Sequence, residues 1–543
     1  MSKTAKLLRN NIIEAQFGYD QSLIDQIRLV PERKWDKVSR KWTLKASIKA
    51  LEFIINNDFS LLEQDVPKLM SLLDKLVEKE QNKSKKILLA KAIEAPVIPE
   101  VASLMKIPAY SYQWAPCHYI RYCEGRFLLA DDMACGKSVE SLMMSNLPEY
   151  KGQPVLIVTP VPMNFQKEIL KFFGESSIVV TNKEQLYNLN PRVRYYLVAP
   201  QRMKWLFDDT IKRRPKPYCQ NFFVIVDEAH MYKNKAAQRT KFLRALTHLA
   251  KHAVLMTGTP VMNRPDELYE LLVALDPNFM SWTTFMRLFC GMQWTPYGMD
   301  HSGHSNLQYL NSWLFENIMV RREKAQVLTQ LPPKVRQTIE LVDTPIECDA
   351  DSIFELFAKS AEVKSKDTVF LDWLRNAFSE SGKIGAFFYH QSMGNAIEAL
   401  CKEEGYSYIR IDGNQTMEER NACVERFERD PSCKVAILSI ACAGVGLNGL
   451  QVAQVCVFTQ FYWRPGDIIQ AEDRFHRPGV PGSVLILYPL LTHFDYALGN
   501  LVLEKLSVIR RITSVDGVPD SIDDKSLLNA LSAEFGIPIK GKK

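Results

Sequence analysis

The sequence has no apolar run long enough to cross a membrane, and its N-terminus has no apolar segment of the kind that directs secretion. Its eleven cysteines lack the spacing of a disulfide framework or of a zinc site, and several lie inside apolar stretches. These absences argue against a membrane protein and against a secreted one. We therefore expect a soluble intracellular protein with core thiols, in the cytoplasm of a bacterium or of a virus-infected cell, with the nucleus as the alternative.

The composition is that of a globular protein, with 46% hydrophobic and 24% charged residues. A chain of 543 residues is too long for a single hydrophobic core, so we expect two or three domains. The net charge of +6 permits binding to nucleic acid without demanding it.

One stretch has the pattern of a phosphate-binding loop. The apolar residues 127–129 predict a buried strand, the loop that follows ends in Gly136-Lys137-Ser138, and a helix is predicted after it. Backbone N–H groups at that helix start would face nucleotide phosphates, Lys137 would add a positive charge, and the Ser138 hydroxyl could ligate Mg²⁺. The tripeptide also occurs in ordinary turns, and Asp131 stands where the general pattern has its first glycine.

A second apolar strand, residues 222–226, runs directly into Asp227 and Glu228. Carboxylates at the C-terminal end of such a strand lie where α/β sheets bind ligands. Asp227 could hold Mg²⁺, and Glu228 could deprotonate the water that attacks a γ-phosphate. The alternative is an acidic turn that caps the next helix; the phosphate loop upstream favours the catalytic interpretation.

Buried strands alternate with helices from residue 155 onward and again after residue 331, which predicts two α/β lobes with doubly wound parallel sheets. We set lobe 1 at residues 109–330 and lobe 2 at residues 331–505. The second lobe has no phosphate loop. It has the segment Gln470–Arg477, in which Arg474 and Arg477 are one helical turn apart and could reach a γ-phosphate held by lobe 1. The alternative is a salt-bridged surface helix.

Residues 1–80 differ from the rest because basic residues alternate with two tryptophans. This pattern suits phosphate contacts combined with base stacking, and the candidate DNA-binding residues are Arg33, Lys34, Trp35, Arg40, Lys41 and Trp42. The alternative is a small domain whose tryptophans belong to its core and whose lysines are merely solvated. We expect a small α+β accessory domain here, then a linker over residues 81–108, and a C-terminal tail over residues 506–543.

Together these residues resemble the Swi/Snf-type ATPases of helicase superfamily two, from roughly Ser111 to Lys505. In lobe 1 the resemblance covers Gln113 (the family's adenine-reading glutamine), Asp131, Asp132, Met133, Ala134, Cys135, Gly136, Lys137 and Ser138 (motif I), Thr159-Pro160 (motif Ia), residues 227–230 (motif II) and residues 257–260 (motif III). In lobe 2 it covers Ser439 through Gly444 with Gly446 and Asn448 (motif V), and Gln470, Arg474 and Arg477 (motif VI).

The resemblance implies two RecA-like lobes that bind ATP and Mg²⁺ between them. By motif match, Asp227, Glu228, Lys137, Gln470, Arg474 and Arg477 would be catalytic, Ser138 and Asp227 would hold the metal, and Thr159, Pro160, Ser439 and Gly444 would contact DNA phosphates. Arg321-Arg322, with Leu331-Pro332 and Lys334, is similar to the segment that bridges the lobes in the family.

Within the family, residues 129–133, 264–269 and 300–307 are similar to the annealing-helicase branch, also called the HepA-related or HARP type. Residues 17–54 resemble a HARP domain, notably in 30–36 and 40–42. This implies an ATP-driven translocase that re-anneals strands or remodels forked DNA, a monomer, with a single-strand-binding protein as a candidate partner.

Ala134 and Cys135 depart from the family, which has Gly and Leu at these positions. Alanine at a position that needs a positive φ costs about 1 kcal/mol or more, so Ala134 motivates an alternative: a DNA-binding clamp with an impaired ATPase. A strand-separating DNA or RNA helicase is the other alternative.

Overall fold

The computed structural model describes residues 3–62, 65–207, 214–296, 298–341, 344, 352–443, 448–518 and 524–535. The chain divides into two compact units, Met1–Leu88 and Leu89–Lys543. Among the described residues, no helix has both the length and the apolar character needed to cross a membrane.

The first unit is a small α+β fold, as expected. Its five-stranded sheet has the order β3-β4-β2-β1-β5, antiparallel except for the pair β1–β5. Ile13, Leu44, Leu51 and Ile54 form the centre of its core. The elements are β1 (Thr4–Leu8), β2 (Ile12–Gln16), α1 (Gln21–Ile27), β3 (Arg33–Asp36), β4 (Lys41–Lys45), α2 (Ile48–Asn56), β5 (Ser60–Leu61) and α3 (Val66–Lys91).

Helix α3 runs past the predicted domain boundary at residue 80, so residues 81–91, which were predicted to begin a linker, are helical. The physical reason is that no glycine or proline occurs between residues 68 and 95, so nothing in the Lys-rich stretch stops the helix.

Lobe 1 contains a seven-stranded sheet in which all neighbouring strands are parallel, in the order β14-β6-β11-β10-β7-β9-β8. Short 3₁₀ helices connect several elements, among them Ser111–Trp114, Ala229–Tyr232 and Pro265–Leu268. The elements are α4 (Pro99–Ala102), α5 (Ala115–Tyr119), β6 (Arg126–Leu129), α6 (Lys137–Ser145), β7 (Val155–Val158), α7 (Pro162–Phe173), β8 (Ser177–Val179), α8 (Glu184–Tyr187), β9 (Tyr195–Val198), β10 (Phe223–Val226), α9 (Gln238–Leu249), β11 (His252–Met256), α10 (Tyr269–Leu275), α11 (Trp282–Phe289), β12 (Gln293–Thr295), β13 (Gly298–Asp300), α12 (Leu307–Asn317) and β14 (Met319–Val320).

A hinge, residues 321–333, leaves the edge of this sheet next to the phosphate-loop strand β6 and contains α13 (Lys324–Val327). Lobe 2 follows, with a six-stranded sheet of parallel neighbours in the order β15-β20-β19-β16-β18-β17. Its elements are β15 (Lys334–Glu340), α14 (Ile353–Lys366), α15 (Thr368–Glu380), β16 (Ile384–Phe388), α16 (Gln391–Glu403), β17 (Ser407–Ile411), α17 (Met417–Arg429), β18 (Cys433–Ser439), α18 (Ile440–Ala443), β19 (Val455–Phe458), α19 (Pro465–Glu472), β20 (Val484–Leu490), α20 (His493–Thr513) and α21 (Asp524–Phe535). The two predicted doubly wound lobes are confirmed.

The long helix α20 belongs to both lobes. Val502 and Leu503, in its first part, lie in the core of lobe 2, whereas Ile512 lies in the core of lobe 1 together with Val508 and Val515. The predicted tail from residue 506 onward therefore begins in the middle of a buried helix. The physical reason is the apolar spacing of residues 501–512, which contain no glycine or proline and continue across the predicted boundary.

Candidate nucleotide site between the lobes

The phosphate loop joins β6 to α6, and two of its residues have left-handed backbone conformations. Gly136 has φ +90° and precedes the first residue of α6, Lys137. Ala134 has φ +67°, so alanine does occupy a position that favours glycine. The Lys137 ammonium donates to the carbonyl oxygens of Asp131 and Asp132, at 2.8 and 3.0 Å, which holds it over the loop.

Gln113 packs against the phosphate loop and forms a hydrogen bond with it. Its Oε1 accepts from the backbone N–H of Tyr110 at 2.9 Å, and its Nε2 donates to the carbonyl of Cys135 at 3.2 Å. A Cβ at Gly136 would lie only 2.3 Å from that Nε2, so the side chain packs directly on the loop. Both polar atoms of Gln113 are thus bound to backbone groups, and its role in reading adenine stays a prediction.

The carboxylates of Asp131 and Asp132 point away from the expected nucleotide and toward the hinge. Asp131 is fully buried and accepts from the backbone N–H and the Nε of Arg322, each at 2.9 Å. Asp132 forms an ion pair with Arg321. Both residues were predicted, by motif match, to belong to the nucleotide-binding loop, and this stays a prediction. Their carboxylates are bound to the hinge, because a buried carboxylate needs a charged partner and the hinge supplies it. Met133 packs against Gly258, and Cys135 is buried beneath the loop.

Asp227 and Glu228 lie at the C-terminal end of β10, facing the phosphate loop. The Thr159 hydroxyl donates to Asp227 Oδ2 at 3.0 Å, and the Glu228 N–H donates to Oδ1 at 3.0 Å. Thr159 is fully buried and its hydroxyl is bound to Asp227; its contact with a DNA phosphate stays a prediction. Its hydroxyl orients Asp227 because the two residues end neighbouring strands of the sheet.

Burial and the neighbouring carboxylate raise the pKa of Asp227 to about 7, and burial also raises the pKa of Glu228. Lys137 and Arg474 act on Glu228 in the opposite direction. This region is therefore short of positive charge, which a divalent cation would supply. The Ser138 hydroxyl and the Asp227 carboxylate are the hard oxygen donors that Mg²⁺ prefers, so the residues present fit this ion.

Glu168 is a third carboxylate at this place that the sequence did not indicate. It lies on α7, hydrogen-bonds the Ser138 side chain, and has a pKa raised to about 7 because it is buried. Its Oε2 atom is buried without a hydrogen-bond partner among the described residues. No local motif marks this position, since Glu168 is nine residues beyond Thr159 on the outer helix.

His230 lies behind Glu228. Its Nδ1 is 3.3 Å from Glu228 Oε2 and 3.1 Å from the Thr257 hydroxyl. Burial lowers the pKa of His230 to about 3, with further contributions from Lys233 and Arg464. The imidazole is therefore neutral near pH 7, so its contact with Glu228 is not an ion pair, and its hydrogen bond is with the Thr257 hydroxyl.

Lobe 2 meets this site through the Gln470–Arg477 segment. The Gln470 amide donates to the Thr259 hydroxyl at 2.6 Å, and the N–H of Gly466 donates to the carbonyl of Met262 at 3.2 Å. Arg474 is 4% exposed, and its charge acts on both Glu228 and Asp227. Arg477 bonds Asn448. The predicted catalytic residues are thus brought together, with Arg474 nearer than Arg477 to the carboxylates.

The two arginines do not lie on a helix, contrary to the prediction. Helix α19 ends at Glu472, and residues 473–477 form turns. Two features of the sequence explain this end: Pro478 cannot continue a helix, and the Phe475 ring is buried against Gly385. The salt-bridged surface helix that was the alternative is also absent from this described segment.

The other residues predicted to contact DNA differ in their exposure to solvent. Pro160 is partly exposed, Ser439 is 7% exposed, and Gly444 lies outside the described residues. Nothing in these positions tests whether they contact DNA.

In the first unit, Trp35 and Trp42 form a cross-strand pair on β3 and β4, with ring centroids 5.0 Å apart. Trp35 is 40% exposed, whereas Trp42 packs partly against the core, so the alternative with both rings in the core is wrong for Trp35. Lys41 pairs with Glu14 and Arg33 bonds the Val30 carbonyl; Lys34 and Arg40 lie exposed on the same hairpin.

Two protein-family models match this chain. A model described as the SNF2-related domain matches residues 76–348, and one described as the helicase conserved C-terminal domain matches residues 367–479. The SWI/SNF-related matrix-associated actin-dependent regulator of chromatin subfamily A-like protein 1 of Xenopus laevis is 31% identical over 539 residues, which cover 93% of this chain and 54% of that protein.

The DNA annealing helicase and endonuclease ZRANB3 of Homo sapiens is 35% identical over 436 residues, covering 72% of this chain and 38% of that protein. The chain thus spans about half, or less, of the length of these two relatives. Among solved structures, the Sulfolobus solfataricus SWI2/SNF2 ATPase core in complex with dsDNA is 19% identical, covers 80% of this chain and 98% of that one, and has a TM-score of 0.38.

Proposed function

The chain belongs to the SNF2-related family, and from that premise we propose that it is a DNA-dependent ATPase that translocates on DNA and re-anneals strands or remodels forked DNA. One observation carries the proposal: the Asp227 and Glu228 carboxylates of lobe 1 lie close enough to Arg474 of lobe 2, and to Lys137 of the phosphate loop, for these charges to act on them. The relatives named above, one of them a DNA annealing helicase, support the choice of DNA and of annealing.

In the proposed reaction, Glu228 accepts a proton from the water that attacks the γ-phosphate. Burial raises its pKa, which makes it a stronger base than an exposed carboxylate, and the neutral His230 ring lies 3.3 Å from its Oε2. Lys137 leaves the loop carbonyls to bind phosphate oxygens, and Arg474 offsets the charge that develops on the transferred group.

Ser138 and Asp227 would hold Mg²⁺, which would neutralise part of the negative charge of the nucleotide phosphates. Thr159 keeps Asp227 in position for this role through its hydrogen bond. Glu168 fixes the Ser138 hydroxyl from the opposite side.

DNA contacts are proposed on two surfaces. Pro160, Ser439 and Gly444 remain candidates for the strand that the lobes would follow, by motif match. In the first unit, Arg33, Lys34, Arg40 and Lys41 lie on the same hairpin as the Trp35–Trp42 pair, so phosphate contacts and base stacking are available on one hairpin. We propose that this hairpin gives the protein its preference for forks, with a single-strand-binding protein as a further partner and a monomer as the active form.

A clamp with an impaired ATPase is the second candidate, and the left-handed conformation of Ala134 is the observation that favours it. A clamp of this kind would keep the proposed DNA contacts and would lose turnover of ATP.

One set of assays tests these functions. ATP hydrolysis is measured without nucleic acid and with single-stranded, duplex and forked DNA, and the same protein is assayed for annealing of strands coated with a single-strand-binding protein. We expect hydrolysis to rise most with forked DNA and annealing to require ATP. Strand displacement without annealing would instead indicate an unwinding helicase, and tight DNA binding without any hydrolysis would indicate the clamp.

A further inference from the structure

Lys324, in the hinge, is bound to both lobes at once. Its backbone N–H donates to Oδ2 of Asp132 at 2.9 Å, on the phosphate loop of lobe 1. Its side-chain ammonium lies 2.8 Å from Oδ1 of Asp473, in lobe 2. The residue is only 8% exposed, so both interactions are largely shielded from water.

On the side of lobe 1, the hinge holds both oxygens of one carboxylate. Asp132 Oδ1 pairs with the Arg321 guanidinium, and Oδ2 accepts from the Lys324 N–H. The carbonyl oxygen of Asp132 in turn accepts from the Lys137 ammonium at 3.0 Å. Asp132 is therefore the single residue between Lys137 and the hinge. If the Lys137 ammonium moved from this carbonyl to a phosphate, the change would act directly on a residue that the hinge binds.

On the side of lobe 2, the Lys324 ammonium holds the residues that directly precede both motif VI arginines. It pairs with Asp473, which precedes Arg474, and it donates to the carbonyl of His476 at 3.1 Å, which precedes Arg477. Lys334 also binds Asp473, at 3.1 Å, but of the two ammonium groups only that of Lys324 is bonded to both residues in the described part of the chain, so it helps to hold the backbone from which both guanidinium groups extend.

A cavity of about 480 Å³ adjoins this arrangement. Asp132, Lys324, Asp473 and His476 all line it, together with residues of the hinge and of α20. Because the space beside these groups is open, they can shift without colliding with packed side chains.

We propose that Lys324 is a positioning residue that couples the phosphate loop to the motif VI arginines. This inference rests on the proposed ATPase. The contacts of Asp132 with Lys137 and with Lys324 form a short path from the nucleotide phosphates to Arg474 and Arg477, and Lys324 holds these arginines where they act on the transition state.

The test compares Lys324→Met with Lys364→Met in the full chain. Lys364 forms another buried ion pair, with Asp495 inside lobe 2. Lys364→Met therefore controls for the loss of stability that follows from removing a buried ion pair. We expect Lys324→Met to lower the DNA-stimulated kcat by roughly 10- to 100-fold with little change in the KM for ATP, because a small displacement of a catalytic group has an effect of this size. Lys364→Met should lower the melting temperature by a similar amount and keep kcat within about twofold.

A second measurement separates positioning from a general structural role. In the Arg474→Ala/Arg477→Ala background, adding Lys324→Met should cause no further loss of kcat, because Lys324 acts through these arginines. If Lys324→Met does not fold, Asp132→Asn replaces it in both comparisons, since this change keeps the side-chain shape and weakens only the bonds to the hinge.

The outcomes are distinguishable. Wild-type protein without ATP hydrolysis on any DNA would refute the proposed function itself. Active wild-type protein with equal kcat in Lys324→Met and Lys364→Met would overturn only the role of Lys324, as would a full additional loss in the background that lacks both arginines.

Discussion

The amide of Gln470 donates a 2.6 Å hydrogen bond to the hydroxyl of Thr259, which joins the motif VI segment of lobe 2 to the loop after β11 in lobe 1. The Thr259 backbone N–H donates to the Thr257 hydroxyl, and His230 Nδ1 lies 3.1 Å from that hydroxyl and 3.3 Å from Glu228 Oε2. These backbone and side-chain contacts connect the motif VI segment of lobe 2 to the proposed catalytic base.

Glu228→Gln should abolish ATP hydrolysis and leave ATP and DNA binding nearly unchanged. The amide keeps the shape of the side chain but cannot accept the proton of the attacking water. Single-turnover hydrolysis and equilibrium titration with ATP measure the two properties. Lys137→Ala is the matched variant and should instead lose ATP affinity; near-normal turnover in Glu228→Gln would show that another group is the base.

Arg474→Ala should reduce DNA-stimulated hydrolysis by a factor on the order of 10³, the effect typical of arginines that stabilise a transferred phosphoryl group. Arg477→Ala should have a smaller effect, because this side chain bonds Asn448 and lies farther from the carboxylates. Initial rates at saturating ATP check both. Arg375→Ala, which removes exposed ion pairs of lobe 2, serves as the control and should retain full activity.

Ala134→Gly should raise the free energy of unfolding by about 1 kcal/mol, because glycine adopts the observed φ of +67° without strain. Turnover should be equal or faster. Urea denaturation and kcat are measured on the same preparation. A slower variant would show that Ala134 is adapted to its loop, and the clamp would lose its main support.

His230 should make the protein less stable as the pH falls. Its folded-state pKa of about 3 lies below the value of 6.5 for an unperturbed histidine, so between these values the unfolded chain binds a proton that the folded chain does not. The free energy of unfolding should fall by at most about 1.4 kcal/mol per pH unit from this group as the pH drops below 6.5. In His230→Gln, this part of the dependence of the unfolding free energy on pH should disappear, whereas the exposed control His304→Gln should keep it. Urea denaturation at a series of pH values below 6.5 measures this dependence.

Trp35→Ala should weaken binding to forked DNA by roughly 1–3 kcal/mol, the range for loss of a stacked base, and should leave the melting temperature of the protein nearly unchanged. Trp42→Ala should mainly lower the stability of the first unit, because this ring packs against its core. Fluorescence anisotropy with a labelled fork measures the affinity. Tyr19→Ala removes another exposed aromatic ring of the same unit, and an equal loss in that variant would contradict a specific stacking role for Trp35.

The sequence was sufficient to predict the two lobes and the position of the candidate catalytic groups of lobe 1 at strand ends. Parallel strands buried on both faces are continuous apolar runs, and those before residue 131 and before Asp227 end at the candidate phosphate loop and at the proposed metal ligand and base. A positive φ at Ala134 was also predictable, since a turn this tight needs the left-handed region.

The sequence could not reveal pairings between distant residues. Asp131 and Arg322 are 191 positions apart, and nothing local indicates that the carboxylate turns to the hinge. The same holds for Thr159, whose partner lies at the end of the neighbouring strand. The end of α19 at Glu472 was missed because the Lys324 and Lys334 ammonium groups, which bind Asp473, come from elsewhere in the chain.

The path of α20 has a consequence for how the protein is made. Val508, Ile512 and Val515 fill part of the core of lobe 1, although most of that lobe is encoded more than 170 residues earlier. During synthesis, residues 508–515 must therefore leave the ribosome before lobe 1 can complete its interior, and the apolar positions that they cover stay open until then. The order of translation and the order of folding therefore differ for lobe 1, because its interior closes only after the strands of lobe 2 have been synthesised.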